Sequence, residues 1–263
     1  MNFKSILIIT CLFLIYSIIN IEPLKAENSI IEKPTKEKST KEEEKIQKAI
    51  DFLLTTNVRF QGGTTLIIKK LNEVCNDKRL DKLWREKIEE DIPVDMKILY
   101  RVYNPTPEPL NIIELEKATE MDKILIKAHY CQNFSFKDIL HDIGQIKRDG
   151  GVVSSHLLFY LAIMKKKGCY SNEPLAPLIQ TLVNELVAIQ NKMEDISIIS
   201  KDSEAMLAYA ERALFIGFAG YPVKKVWIEN ILNCQSQDGS WFGDTHTTAV
   251  CLWAIVQKRG FCK

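Results

Sequence analysis

The side chains best able to do chemistry fall on two matching turns. Asp149-Gly150-Gly151 leads to Ser154-Ser155-His156, and Asp238-Gly239-Ser240 leads to Asp244-Thr245-His246. Each turn precedes an apolar run, so each histidine is predicted in the first turn of a buried helix. Imidazole titrates near neutral pH, and a carboxylate beside it makes an acid–base pair or part of a metal site. His156, His246, Asp149 and Asp244 are therefore the catalytic candidates if the chain is an enzyme. The structural alternative is that Asp caps helices and turns while His bonds the neighbouring hairpin. Asp244, His246 and Cys251 do not reach a metal geometry by spacing alone, so no metal and no cofactor are assigned. Glu204 and Glu211 lie two helical turns apart on one face, and Glu211 with Arg212 could line an inward surface.

The cysteines bear on compartment. Cys11 lies in an N-terminal apolar run, and Cys75, Cys131, Cys169, Cys234, Cys251 and Cys262 remain, an even set. Cys75, Cys131, Cys169 and Cys234 fall at predicted helix ends and, with Cys262, are the disulfide candidates; Cys251 reads as a free thiol in a buried helix. The sequence does not choose the pairing, and no Cys-x-x-Cys occurs. Asn133-Phe134-Ser135 is the acceptable glycosylation sequon, since Pro105 spoils Asn104-Pro105-Thr106.

These residues must be held by helices. Half-polar periodicity predicts outer helices at 43–59, 79–90, 111–130, 174–193 and 221–234. More uniformly apolar runs predict enclosed helices at 64–75, 95–103, 152–167, 203–218 and 245–258. An amphipathic helix at 135–147 interrupts the alternation. From Ala162/Ala254 to Gly168/Gly260 the two phrases keep a constant offset. That offset is about two helical hairpins at the roughly 40–47 residues of helical-pair repeats. Gln61-Gly62-Gly63-Thr64-Thr65 is a weaker echo. The expected class is all-α, an α/α toroid-like array of helical hairpins, with a plain bundle or solenoid as the competing arrangement.

Residues 1–26 read as a cleavable signal peptide: Lys4, an apolar run from Ile6 to Ile19, then Leu24-Lys25-Ala26. A spanning helix needs about 20 apolar residues, and this run is shorter. Residues 27–42 read as a solvated charged leader, and 43–263 as a single helical domain. Hydrophobic residues make up 46% of the chain, ample for a core, and the formal net charge of +1 gives no footprint for nucleic acid.

Gln235-x-x-Asp238-Gly239-Ser240-Trp241 resembles the Gln-Trp repeat of terpenoid cyclases and the related turns of protein prenyltransferases, both α/α toroids. The likeness implies that Gln235, Asp238, Gly239 and Trp241 form a structural turn. The cyclases' Asp-rich motif and the transferases' zinc ligands are absent, so neither activity carries over. A second resemblance covers residues 150–257. Leu214 to Gly220, Val226 to Leu232 with Gln235, Phe242-Gly243 and His246-Thr247-Thr248 look like an animal family of secreted proteins of unknown function, with thyroid-expressed vertebrate members. Ser155-His156-Leu157-Leu158-Phe159 and Gly168-Cys169 fit it too, while Ser240-Trp241 and the short loop after Gly243 depart from it. The expectation is a secreted binding domain for a protein or a small hydrophobic ligand, with no role for nucleic acid or, after signal removal, membrane. The alternatives are a toroid-cavity hydrolase or lyase using His156 and His246, or a structural protein that forms a homodimer. Trp227, Trp241 and Trp253 read as core.

Overall fold

Short oxygen side chains start most of the helices. Thr119, Ser135, Asp195 and Asp202 each accept a first-turn backbone N–H, satisfying an amide that has no intrahelical partner. The computed structural model describes residues 36–56, 62–88, 115–116, 118–146, 151–170 and 175–259. Among them lie eleven α-helices: α1 (Lys36–Thr55), α2 (Gly62–Cys75), α3 (Lys78–Ile88), α4 (Glu120–His129), α5 (Phe136–Gln145), α6 (Val152–Lys166), α7 (Leu175–Lys192), α8 (Ile196–Ile199), α9 (Ser203–Phe218), α10 (Lys225–Asn233) and α11 (Thr245–Arg259). The fold is all-α; among the described residues the β-pairing is confined to a Trp241–Asp244 bridge.

Five helices run parallel through the core. α2 packs on α11, α11 on α9, α9 on α6, and α6 on α4. Contacts at both ends align α9 with α11, and contacts at one end set α2 beside α11 and α4 beside α6. At the N-terminal ends, Thr64 Oγ1 lies 2.9 Å from His246 Nδ1, and Ser203 Oγ lies 2.9 Å from Thr247 Oγ1. At the C-terminal ends, Gln257 Nε2 donates to the Leu214 carbonyl and Lys167 Nζ to the His129 carbonyl. Residues 157–164 of α6 and 249–256 of α11 are buried on every side, as an enclosed helix requires. Phe159, Phe215, Phe218 and Trp253 bring α6, α9 and α11 together, with the Phe159 and Phe215 rings stacked at 4.7 Å.

The other helices cover this row. α7 packs on α6 and α9, α10 on α9 and α11, α3 on α2, and α5 on α4. Two assignments change. The helix read as outer at 111–130 is, where described, α4, and it runs with the inner set. The helix read as an interruption at 135–147 is α5, its antiparallel cover across the short turn at Cys131–Asn133. Periodicity missed this because α4 carries lysines and acids on its exposed side while burying Ile124, Leu125, Ile126 and Ala128. The expected leader is also shorter than read, because α1 begins at Lys36 and already buries Glu42. The inner helix expected at 95–103 and the signal segment 1–26 lie outside the described residues.

The turn before α11 docks on α1. Gln235 Nε2 donates to the Lys45 and Gly239 carbonyls, both at 2.9 Å, and Lys45 Nζ donates to the Leu232 carbonyl at 2.7 Å. Trp241, fully buried, donates its ring N–H to the Ile231 carbonyl at 2.7 Å. Asp238 accepts from the Ser240 amide and hydroxyl. Trp227 and Trp253 are also buried.

Candidate site at the N-terminal rim of the inner helices

The shared direction of the inner helices collects their first turns at one rim. His246, the second residue of α11, bonds Thr64 at the start of α2. Its ring approaches Gly63 so closely that a Cβ there would stand 3.3 Å from His246 Cε1. Burial lowers the His246 pKa, Asp244 opposes that shift, and the charge of His156 adds to it. The two histidines are therefore electrostatic neighbours on one rim.

His156 sits in the second turn of α6, not the first. Its Nδ1 lies 3.0 Å from the Val152 carbonyl, which can only accept, so Nδ1 carries the proton and neutral His156 leaves Nε2 as a lone pair. That Nε2 lies 3.6 Å from Glu211 Oε1. Glu211 is 3% exposed. Burial raises its pKa, against the pull of His156 and Arg212. Arg212, equally buried, donates from Nε to Gln190 Oε1 at 2.8 Å and from Nη2 to the Met193 sulfur at 3.0 Å. Burial lowers its pKa, and Glu211 resists.

The carboxylate beside His156 is thus Glu211, which the sequence reading placed only as a lining residue. Asp244 is spent as the cap of α11, accepting from the Thr247 amide at 2.7 Å. Asp149 lies outside the described residues. Glu204 is exposed, so the two glutamates do not share an environment. Among the described residues no group of three or more His, Cys, Asp or Glu is placed to hold a metal ion. Thr64 and Ser203 were missed as rim residues; the Gly-Gly-Thr-Thr echo was the signal for the first.

Aromatic rings pack against His156. The Phe215 ring lies 5.7 Å from the imidazole, and Phe159 stacks behind it. A cleft of about 240 Å³ opens elsewhere, between the C-terminal parts of α9 and α11, lined by Gly217, Tyr221, Val223, Ala254 and Gln257 among others. The pKa of Tyr221 is raised by burial. At the rim's edge, Phe242 is 41% exposed at a φ of 61°.

Cys131 and Cys169 form a disulfide joining the ends of α4 and α6, and Cys75 is likewise held in a disulfide. Cys234, a disulfide candidate, instead carries a free, half-buried thiol, and Cys251 is free and fully buried. Cys234 ends α10 where that helix docks on α1, and burial pushes both thiols up, Cys251 well above its usual value. Cys262 lies outside the described residues. Asn133 is exposed, and Ser135 of its sequon caps α5. Comparison with family models, with curated proteins and with solved structures finds no match for this chain.

Proposed function

We propose that the chain is a secreted, non-catalytic binding domain that meets a protein or small hydrophobic partner at the N-terminal rim of its inner helices. The observation that carries this is the ring pile under His156. Phe215 and Phe159 occupy the ground beneath the histidine, so the rim offers a surface and not a reaction chamber, whereas catalytic pockets are concave. His156 and His246 supply polar contacts, and exposed Phe242 supplies an apolar one. Secretion is supported by the signal-like residues 1–26, by disulfide bonding, and by the resemblance to a secreted animal family. The five parallel helices we read as the inner layer of an α/α toroid, supported by the approach of Lys69 and Lys70 on α2 to His129 on α4.

One observation favours the hydrolase or lyase reading: a buried acid of raised pKa facing an imidazole lone pair is general acid–base geometry. The experiment uses the full chain expressed in secretory cells. Mass spectrometry of the medium is expected to show a chain beginning after Ala26 with a glycan at Asn133. Hydrolysis of p-nitrophenyl acetate should run at the buffer rate for wild type, His156→Gln and Glu211→Gln alike. Turnover that vanishes in both variants would overturn the binding reading.

A further inference from the structure

From the middle of α2 to the C-terminal end of α6 positive charge is concentrated. Lys69 and Lys70 lie on α2, Lys166 ends α6, Lys167 follows it, and His129 ends α4. Lys167 Nζ is held 2.8 Å from the His129 carbonyl. Lys166 Nζ stands 3.5 Å from the centroid of the Phe218 ring, and Lys69 Nζ 5.4 Å from that of Trp84. Lys70 pairs with Glu73 at 2.5 Å. The ammonium of Lys70 is close enough to weaken protonation of Lys69, Lys166 and Lys167, after burial in each case and, for Lys69, against Glu73. Like charges are thus gathered from separate elements and partly desolvated. The platform is rigid: the Cys131–Cys169 disulfide closes it, and Tyr170 Oη lies 2.6 Å from the Cys131 and Phe134 carbonyls.

We propose that this lysine rim binds the sulfate groups of an extracellular sulfated glycan chain. The proposal rests on the secreted reading above. Compact ammonium groups suit spaced anionic groups as point charges, without the planar fork that guanidinium would bring. A membrane is the poorer fit. The exposed large apolar side chains among the described residues are Leu140, Val152, Ile196, Ile198, Val226 and Phe242, none of them on α2 or the end of α6, so the lysines have no neighbouring apolar anchor there. Nucleic acid fits poorly too, because Lys69 and Lys166 cover the Trp84 and Phe218 faces on which bases would stack. With a formal net charge of +1, attraction must come from the local patch and not from the whole chain. The competing explanation is that Lys166 and Lys167 only complement the negative end of α6.

The test uses the full secreted chain, a heparin oligosaccharide and a heparin column beside a sulfopropyl column. Wild type should leave heparin at higher salt than sulfopropyl. The double variant Lys70→Gln with Lys166→Gln should lose about tenfold in oligosaccharide affinity, while Lys192→Gln with Lys225→Gln, equal in charge, should lose none. Should the first pair fold poorly, Lys166→Gln alone should still lower the heparin elution salt. Equal elution from both columns, equal loss in the control pair, or binding to phosphatidylserine vesicles without binding to the oligosaccharide would overturn the proposal. Export is read separately in the medium: a chain kept inside cells that still prefers heparin defeats the secreted reading, whereas an exported chain without that preference defeats the rim.

Discussion

The two ends of the inner helices are made by the same five elements and solve opposite problems. At the N-terminal rim the free amides of helix ends need acceptors, and Asp202 and Asp244 supply them. Hydroxyls and imidazoles then pair between helices: Thr64 with His246, Ser203 with Thr247. The exception lies deeper, where Glu211 is buried beside His156. Toward the C-terminal rim Lys166 and Lys167 stand at the negative end of α6 with Lys70 of α2 in electrostatic reach, and the ring nitrogen Nε2 of His129 is buried without a hydrogen-bond partner among the described residues. One end is organised by pairing and the other by charge, so the two should answer differently to backbone strain and to pH.

The largest contrast lies in two glycines. Gly239, in the turn that sets up the histidine rim, has a φ of +89°, and a Cβ there would stand 2.2 Å from the Lys48 carbonyl oxygen. Backbone cannot yield as a flexible side chain can, so Gly239→Ala must push α1 away and break the Gln235 and Lys45 bonds. We expect a loss above roughly 4 kcal/mol, or failure to fold. Gly168, at the lysine rim, has a φ of +71° and nothing within 4 Å of its added Cβ. Gly168→Ala should cost only the left-handed strain, about 1 kcal/mol. Urea unfolding of both variants decides it. Equal losses would mean that the Gly239 turn is not docked on α1 as described.

Acid should weaken the lysine rim. His129 is pushed down to about 3 from 6.5, first by burial and then by Lys167, Lys70 and Lys69. The unfolded chain therefore takes up this proton near pH 6.5 while the folded chain refuses it until about pH 3. Stability from this group is complete above the unfolded value and falls as pH drops through that window, by on the order of 5 kcal/mol. His129→Gln should flatten the stability profile between those values, measured by urea unfolding at a series of pH values. A profile of unchanged slope would show that His129 is solvated.

Much of this contrast was legible in the sequence and some was not. Ser203–Phe218 falls at the expected 203–218, because Asp202 caps it and a continuous apolar run follows. The Gln235–Trp241 turn was also legible, since Gly, Asp and a buried indole each have narrow uses there. The histidine pairing was only half legible. Spacing placed His156 and His246 on one rim, but Asp244 lies one position before its helix, where capping competes with any role toward imidazole. Glu211 sits mid-helix, and its burial depends on the packing of α6 against α9, which periodicity along one helix cannot convey. The lysine rim was hidden for a related reason: Lys70 and Lys166 are distant in sequence and come within electrostatic reach only in the fold.

The smallest expected effect has the opposite sign to that of His129. Burial is the leading cause of the raised Glu211 pKa, and it outweighs the attraction of His156 and Arg212. A raised folded value means that stability is fully present below the unfolded value of 4.5 and is lost as pH rises through the folded one. Glu211→Gln keeps the shape and removes the ionisation. It should leave stability near pH 4 unchanged and raise it by about 1 kcal/mol at pH 8. Arg212 would lose a counter-charge, but that attraction is already contained in the direction of the Glu211 shift, and Gln190 still accepts from its Nε. Thermal melts at the two pH values read the difference. A variant destabilised at pH 8 would mean that the Glu211 carboxylate is held ionised by its partners, and the histidine rim would then be organised by charge, as the lysine rim is.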